Sequence, residues 1–350
     1  MFLCSWRQWP QTLSHYSVIM TTPRLLVHIG VPKTATTSLQ FGFFPKHPDI
    51  RYLGKPFYDE SFGYDGSFET AKLLDSIWKE DSLQYDPGLA KERFSAGVVP
   101  RLSNDRVAVI SEEGLSQASA ADRVVTAKRL RALTRHLDCR ILITIREQKR
   151  ALYSGYQWIY ARRMTSRSFT NWLDWCQSYS SYYGCLNDFP LRQYLYAQLV
   201  AVYQHEFGED NVLVLPMELL KEPDNRFIRE IESFCDISAM DWGGTAPLVP
   251  EENRSPGRLG TRYQRLIKGM IAFMNYLCGR RNAPVSEALL EGGFHGWAMK
   301  QIAHIDRSMP PMSLTVSQRL SDYYRGDNRR LVELTGLRLQ HLGYDCGLSD

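Results

Sequence analysis

The chain is 350 residues long with 44% hydrophobic and 23% charged residues, an ordinary globular composition able to bury a large core, as one big domain or as two. Its 42 basic and 38 acidic residues leave a formal charge of +4, too even a balance to imply nucleic acid, so any anion site has to be local. No apolar run reaches the ~18 residues of a membrane span, and the seven cysteines (Cys4, Cys139, Cys176, Cys185, Cys235, Cys278, Cys346), an odd count without a Cys-x-x-Cys pair, argue against a zinc site or a disulfide framework and read as reduced thiols of a cytoplasmic protein.

The opening segment, MFLCSWRQWPQTLSHYSVIM, lacks the apolar centre of a secretory signal, being broken by Arg7, Gln8, Pro10, Gln11 and His15. Residues 1–19 read either as an upstream extension or as a loose tail, and 20–350 as a single domain. Strand-length apolar runs then recur at Leu25–Ile29, Ile50–Leu53, Val107–Ile110, Ile141–Ile145 and Val212–Leu215, with helical patterns between them. Runs apolar on both faces predict parallel strands buried between helix layers, hence a three-layer α/β domain around a sheet of about five strands. Helices are predicted over Ala121–Leu137, with Leu130, Leu133 and Leu137 on one face, and over Leu191–Phe207, closed by Gly208. Another follows around Asn225–Cys235, then a Gly- and Pro-rich loop from Gly243 to Gly260, then mostly helical sequence to Leu337.

The first strand runs into Gly30-Val-Pro-Lys-Thr-Ala35 at the sheet edge where parallel folds bind ligands, and Thr36–Phe44, with Leu39 and Phe43 four apart, opens a helix. The first N–H groups of such a helix have no intrahelical acceptor and favour an anion. Gly30 and Pro32 shape the turn, Lys33 supplies charge, and Thr34, Thr36, Thr37 and Ser38 supply hydroxyls. The lysine comes three residues after the glycine with no second glycine before it, so this is not a Walker A loop. The fourth strand should end at Arg146, and Ser154 follows on the next helix; a guanidinium there can donate two parallel hydrogen bonds to a phosphate. The third strand ends in Ser111-Glu112-Glu113, which puts two carboxylates at the same edge.

Pro32-Lys-Thr-Ala-Thr-Thr-Ser-Leu39 resembles the 5′-phosphosulfate loop of sulfotransferases that use 3′-phosphoadenosine 5′-phosphosulfate (PAPS), with Ala35 where that family usually has glycine, a change that bears on loop geometry because alanine disfavours positive φ. Arg146 with Ser154 resembles the family's 3′-phosphate site. Tyr203–Leu220 looks like its last strand and following acidic residue, with Met217 where a tyrosine is frequent, and the likeness continues less specifically through Asn253-Arg254-Ser255 and Tyr324–Leu331. The resemblance implies a P-loop nucleoside-triphosphatase-like fold and transfer of a sulfuryl group from PAPS to a hydroxyl acceptor, leaving 3′,5′-ADP and needing no metal. It implies donor binding by Lys33, Thr34, Ala35, Thr36, Thr37, Ser38, Arg146, Ser154, Arg254 and Ser255, with Lys33 stabilising charge on the bridging and leaving oxygens. Ser111, Glu113 and Leu115 match a Ser-x-Glu-x-Leu stretch of bacterial-type members, so Glu113 is the first choice of general base and Glu112 the second. Lys55, after the second strand, falls at the same edge and is a further candidate, whereas His28 reads as a packed core histidine.

Aromatic residues crowd the stretch from Tyr153 to Tyr196: Tyr156, Trp158, Tyr160, Phe169, Trp172, Trp175, Tyr179, Tyr182, Tyr183, Phe189 and Tyr194. Their faces suit a carbohydrate or glycoconjugate acceptor, and helix packing explains them equally well. Arg162, Arg163 and Arg167 suit an acidic acceptor or simply a solvated basic face. A P-loop kinase or ATPase would carry a Gly-Lys-Ser/Thr loop, and a non-catalytic nucleotide-binding or scaffold protein would not need Lys33, Arg146 and Ser154 all at strand ends.

Overall fold

The computed structural model describes residues 22–54, 67–117, 122–161, 164–183, 189–222, 224–240, 258–277, 301–302 and 312–347, with the backbone alone for 177–183, 189–190, 258, 261, 272, 274–275 and 277. Lys55, Arg254 and Ser255 lie outside the described residues, as do Arg162 and Arg163. Each apolar run is a strand: β1 (Arg24–His28), β2 (Ile50–Tyr52), β3 (Val107–Ser111), β4 (Asp138–Ile145) and β5 (Val212–Pro216). They pair in parallel throughout, in the order β2-β3-β1-β4-β5. The chain therefore steps two places one way from β1 to β2 and returns across β1 to reach β4, which leaves a switch point at the carboxyl end of β1.

Side chains alternate across the strands and divide the core in two. Leu25, Val27, Ile110, Ile141, Ile143 and Val214 face α2 (Phe68–Lys79), α3 (Pro87–Gly97), α4 (Arg123–Thr134) and α8 (Tyr196–Phe207). Leu26, Val109, Leu142 and Leu215 face α1 (Thr36–Ser38, continued as a π-helical turn Leu39–Phe43) and α9 (Arg226–Cys235), where Phe43, Phe44, Phe227 and Ile231 complete the layer. Each such side chain, fully buried, stabilises the fold by about 1.5–3 kcal/mol. The right-handedness of parallel crossovers accounts for the division, since the one step leftwards carries α1 and the steps rightwards carry the other layer.

Between β4 and β5 lie α5 (Gln148–Ala161), α6 (Phe169–Tyr183), α7 (Phe189–Arg192) and α8; after α9 come α10 (Arg258–Leu277), which takes in the last three residues expected in the loop, and α11 (Leu314–Thr335). The helix predicted over Leu191–Phe207 is broken at Gln193–Leu195. Arg123 donates to the carbonyls of Arg192, Gln193 and Leu195, while Asp327 of α11 accepts from the Ala197 N–H at 3.0 Å. Two distant side chains thus cap both sides of the break and replace the intrahelical bonds. The carboxy-terminal Tyr324–Leu331 stretch is what docks α11: Tyr324 and Leu331 are buried, and Asn328 exchanges amide hydrogen bonds with Gln148 at the start of α5.

Candidate functional site

The loop after β1 is built on two left-handed residues. Lys33 has φ 74° and Ala35 φ 69°, ψ 16°. Ala35 keeps the conformation a glycine adopts freely, and a left-handed residue followed by the right-handed Thr36 is the backbone pattern that forms a concavity of N–H groups suited to an anion. No side chain caps that helix start, which leaves its N–H groups for a ligand. Thr34, between the two left-handed residues, is fully buried: its hydroxyl donates to the Val31 carbonyl at 2.5 Å and lies 2.8 Å from Thr144 Oγ1. Gly30 serves close packing rather than a left-handed turn, since a Cβ there would fall 2.1 Å from Thr144 Oγ1 and 2.5 Å from His28 Nε2. Thr37 and Ser38 occupy the first turn of α1, half-buried.

The edge of the sheet brings three further groups to this loop. Arg146 follows β4 directly, and its Nη1 donates to the Lys33 carbonyl at 3.3 Å. Its backbone is held by Tyr196, whose hydroxyl donates to the Arg146 carbonyl at 2.8 Å. The two glutamates after β3 separate cleanly. Glu112 is buried, with one carboxylate oxygen accepting from the Gly114 N–H at 2.7 Å, a cap on the 3-10 turn Glu113–Ser116; Glu113 is half-buried and accepts a hydrogen bond from the Thr36 hydroxyl. Lys33, Thr34, Thr36, Glu113 and Arg146 therefore share one site. Ser154 lies two turns along α5 with its side chain buried.

Neighbouring groups order this edge. Glu147 caps α5 by accepting from the N–H groups of Lys149 and Arg150, both at 3.0 Å, and its burial raises its pKa. Glu218, after β5, accepts from the Glu147 N–H and from the Tyr344 hydroxyl. Tyr194 lies within electrostatic reach of both Arg146 and Glu113; burial pushes its phenol well above the ordinary value, so it is neutral.

Most aromatic residues of the stretch whose side chains are described belong to the core or pack against it. Tyr153, Tyr156, Phe169 and Trp172 form one ring cluster with centroids 5.1–6.1 Å apart. Trp175 packs beside it under Arg167, and Tyr160 lies under Arg265. Trp158 differs: 41% exposed, it lies with its ring 5.7 Å from the Lys33 ammonium. The side chains of Tyr179, Tyr182, Tyr183 and Phe189 lie outside the described residues. The sequence reading singled out neither Tyr196 nor the particular place of Trp158, and nothing local marks either one. It did give His28 as a packed core histidine, which it is, yet that ring is also bonded to Ser111 and Thr144. Polar residues at the same end of three otherwise apolar strands were the available signal.

No protein-family model and no curated protein matches the chain. Among solved structures it is similar to a sulfotransferase from Alicyclobacillus acidocaldarius, at 17% identity and a TM-score of 0.44, over 79% of this chain and 98% of that one. No residue role follows from a likeness of this degree. Among the described residues no helix is long and apolar enough to cross a membrane, no cluster of metal-ligating side chains occurs, and Cys139, Cys176, Cys235 and Cys346 are buried thiols outside any disulfide.

Proposed function

We propose that the chain is a PAPS-dependent sulfotransferase acting on a hydroxyl-bearing acceptor. The observation that carries this reading is the meeting, at one strand edge, of a lysine-bearing left-handed loop with a carboxylate: Glu113 on Thr36, and Arg146 on the Lys33 carbonyl. An anion seated against the N–H groups of Ala35, Thr36 and Thr37 lies beside Lys33, whose charge stabilises a leaving phosphate oxygen. PAPS supplies an SO₃ unit on a phosphate oxygen. Glu113 takes the acceptor's proton as the new S–O bond forms and the old one breaks, and Arg146 and Ser154 hold the 3′-phosphate. Glu112, buried as a cap, is the weaker choice of base. Arg254 and Ser255 keep the donor-binding role implied by the resemblance, and Lys55 stays a candidate from its place at the same edge. Trp158, exposed beside Lys33, offers a flat face to a sugar or other ring-bearing acceptor.

A P-loop kinase or ATPase is the second reading, favoured by the Thr36–Glu113 pair, because a hydroxyl and a carboxylate at this edge are the groups with which such proteins hold magnesium. Against it, the residue after the left-handed turn is Thr36, where a Walker A loop carries its lysine. Thermal stabilisation separates the two. A ligand at a hundred times its dissociation constant adds about 2.7 kcal/mol, and 3′,5′-ADP should give that shift without magnesium. A shift only with ATP and magnesium would sink the sulfotransferase reading.

A further inference from the structure

Beneath the loop, on the α1 side of the sheet, a file of polar side chains runs through the core. Gln40 Nε2 donates to Ser111 Oγ at 2.9 Å; Ser111 Oγ lies 2.8 Å from His28 Nδ1; His28 Nε2 lies 3.1 Å from Thr144 Oγ1; and Thr144 Oγ1 lies 2.8 Å from Thr34 Oγ1, which donates to the Val31 carbonyl. His28, Ser111, Thr144 and Thr34 are all fully buried. Each hydroxyl has one proton, so the direction is set from the carbonyl end. Thr34 gives its proton to Val31, Thr144 gives its own to Thr34, and His28 must therefore present Nε2–H to Thr144. Its Nδ1 then accepts from Ser111, whose oxygen accepts from Gln40. His28 is a neutral imidazole of one defined tautomer, donating at one end and accepting at the other.

Thr34 is flanked by Lys33 at φ 74° and Ala35 at φ 69°, conformations that residues with a Cβ leave unless something holds them. The buried hydroxyl between them is that hold. We propose that His28 is a positioning residue of the anion loop: through Thr144 it fixes Thr34, and through Thr34 it keeps Lys33 and the N–H groups around Ala35 turned toward the ligand. Gly30 fits this role, because any Cβ there would occupy the path of the His28–Thr144 bond. The inference rests on the reading of the loop as an anion site.

The test compares Thr144→Val, which keeps shape and removes the hydroxyl, with Thr144→Ser, which keeps the hydroxyl, in the full chain. Calorimetry reads binding of 3′,5′-ADP and of inorganic pyrophosphate. Thr144→Val should weaken both by about tenfold, the equivalent of one net hydrogen bond, and Thr144→Ser should bind like the parent. Nitrogen-15 NMR of the imidazole should show Nε2–H, and Gly30→Ala should weaken binding in the same direction. Unchanged affinity in Thr144→Val with only a lowered Tm, or an Nδ1–H tautomer, overturns the positioning role while leaving the anion site standing. If the unaltered chain binds neither anion, the reading of the loop falls and this inference with it.

Discussion

Replacing Ala35 by glycine should stabilise the protein, against the usual effect of that change. Ala35 sits at φ 69°, ψ 16°, inside the left-handed region, where a Cβ crowds the following carbonyl at a cost of about 1–2 kcal/mol. Glycine removes that cost and adds unfolded-chain entropy of about 0.4–1 kcal/mol. The difference predicts a net gain of about 0.5–1 kcal/mol, or about 1–2 °C in Tm for a chain of this size. Urea unfolding measures it most directly, as a raised midpoint at unchanged slope. Ala132→Gly in the exposed right-handed part of α4 is the control and should lose about 0.5–1 kcal/mol, since there glycine relieves nothing. Ala35→Val should destabilise more than Ala35→Gly stabilises, because a β-branched side chain tolerates this region least. A midpoint for Ala35→Gly equal to or below the parent would refute the left-handed assignment, and with it the concavity of N–H groups on which the anion site is argued.

Four further outcomes follow from the site and its supports. Lys33→Ala should lower sulfuryl transfer by about 10²–10³ with chelator making no difference; full activity in the variant would remove Lys33 from the chemistry. Glu113→Gln should lose about 10²–10⁴ in turnover while its 3′,5′-ADP affinity holds, and Glu112→Gln should instead lower Tm; the reverse pattern would exchange their roles. Trp158→Ala should raise the acceptor KM and leave nucleotide affinity within about twofold, as expected of an exposed ring face that meets the acceptor; an unchanged KM would exclude the indole from acceptor binding. Burial raises the folded-state pKa of both Glu147 and Asp327, so the stability they confer is complete below the ordinary carboxylate range and is lost as pH rises through their folded values. Asp327→Asn should flatten that part of the stability profile and, by weakening the cap on α8, lower stability by about 1 kcal/mol in acid. A slope identical to the parent's would rule Asp327 out as its source.

Much of the fold was legible from the strands alone. Runs such as Leu25–Ile29 and Ile141–Ile145 are apolar on both faces, and with helical patterns between them they fit a parallel sheet covered on both sides. The same local logic placed Lys33 and Arg146 just past strand ends, where side chains meet at the ligand edge. It misjudged the helix over Leu191–Phe207, because the periodic pattern is continuous while the break is made by Arg123 and Asp327, side chains from other elements whose approach no local pattern encodes. The aromatic stretch was ambiguous for a related reason: packing and binding ask for the same residues, and only their exposure separates Trp158 from Trp172.

By itself, then, the sequence determined which segments are strands and which residues stand at their carboxyl ends, since burial pattern and chain order are local properties. The order β2-β3-β1-β4-β5 was decided only by the tertiary structure, and with it everything that depends on neighbours across strands. That order puts β1 between β3 and β4, so that His28 reaches Ser111 on one side and Thr144 on the other. It also turns Glu113 rather than Glu112 to Thr36, and it holds Ala35 in a conformation that an isolated alanine would leave.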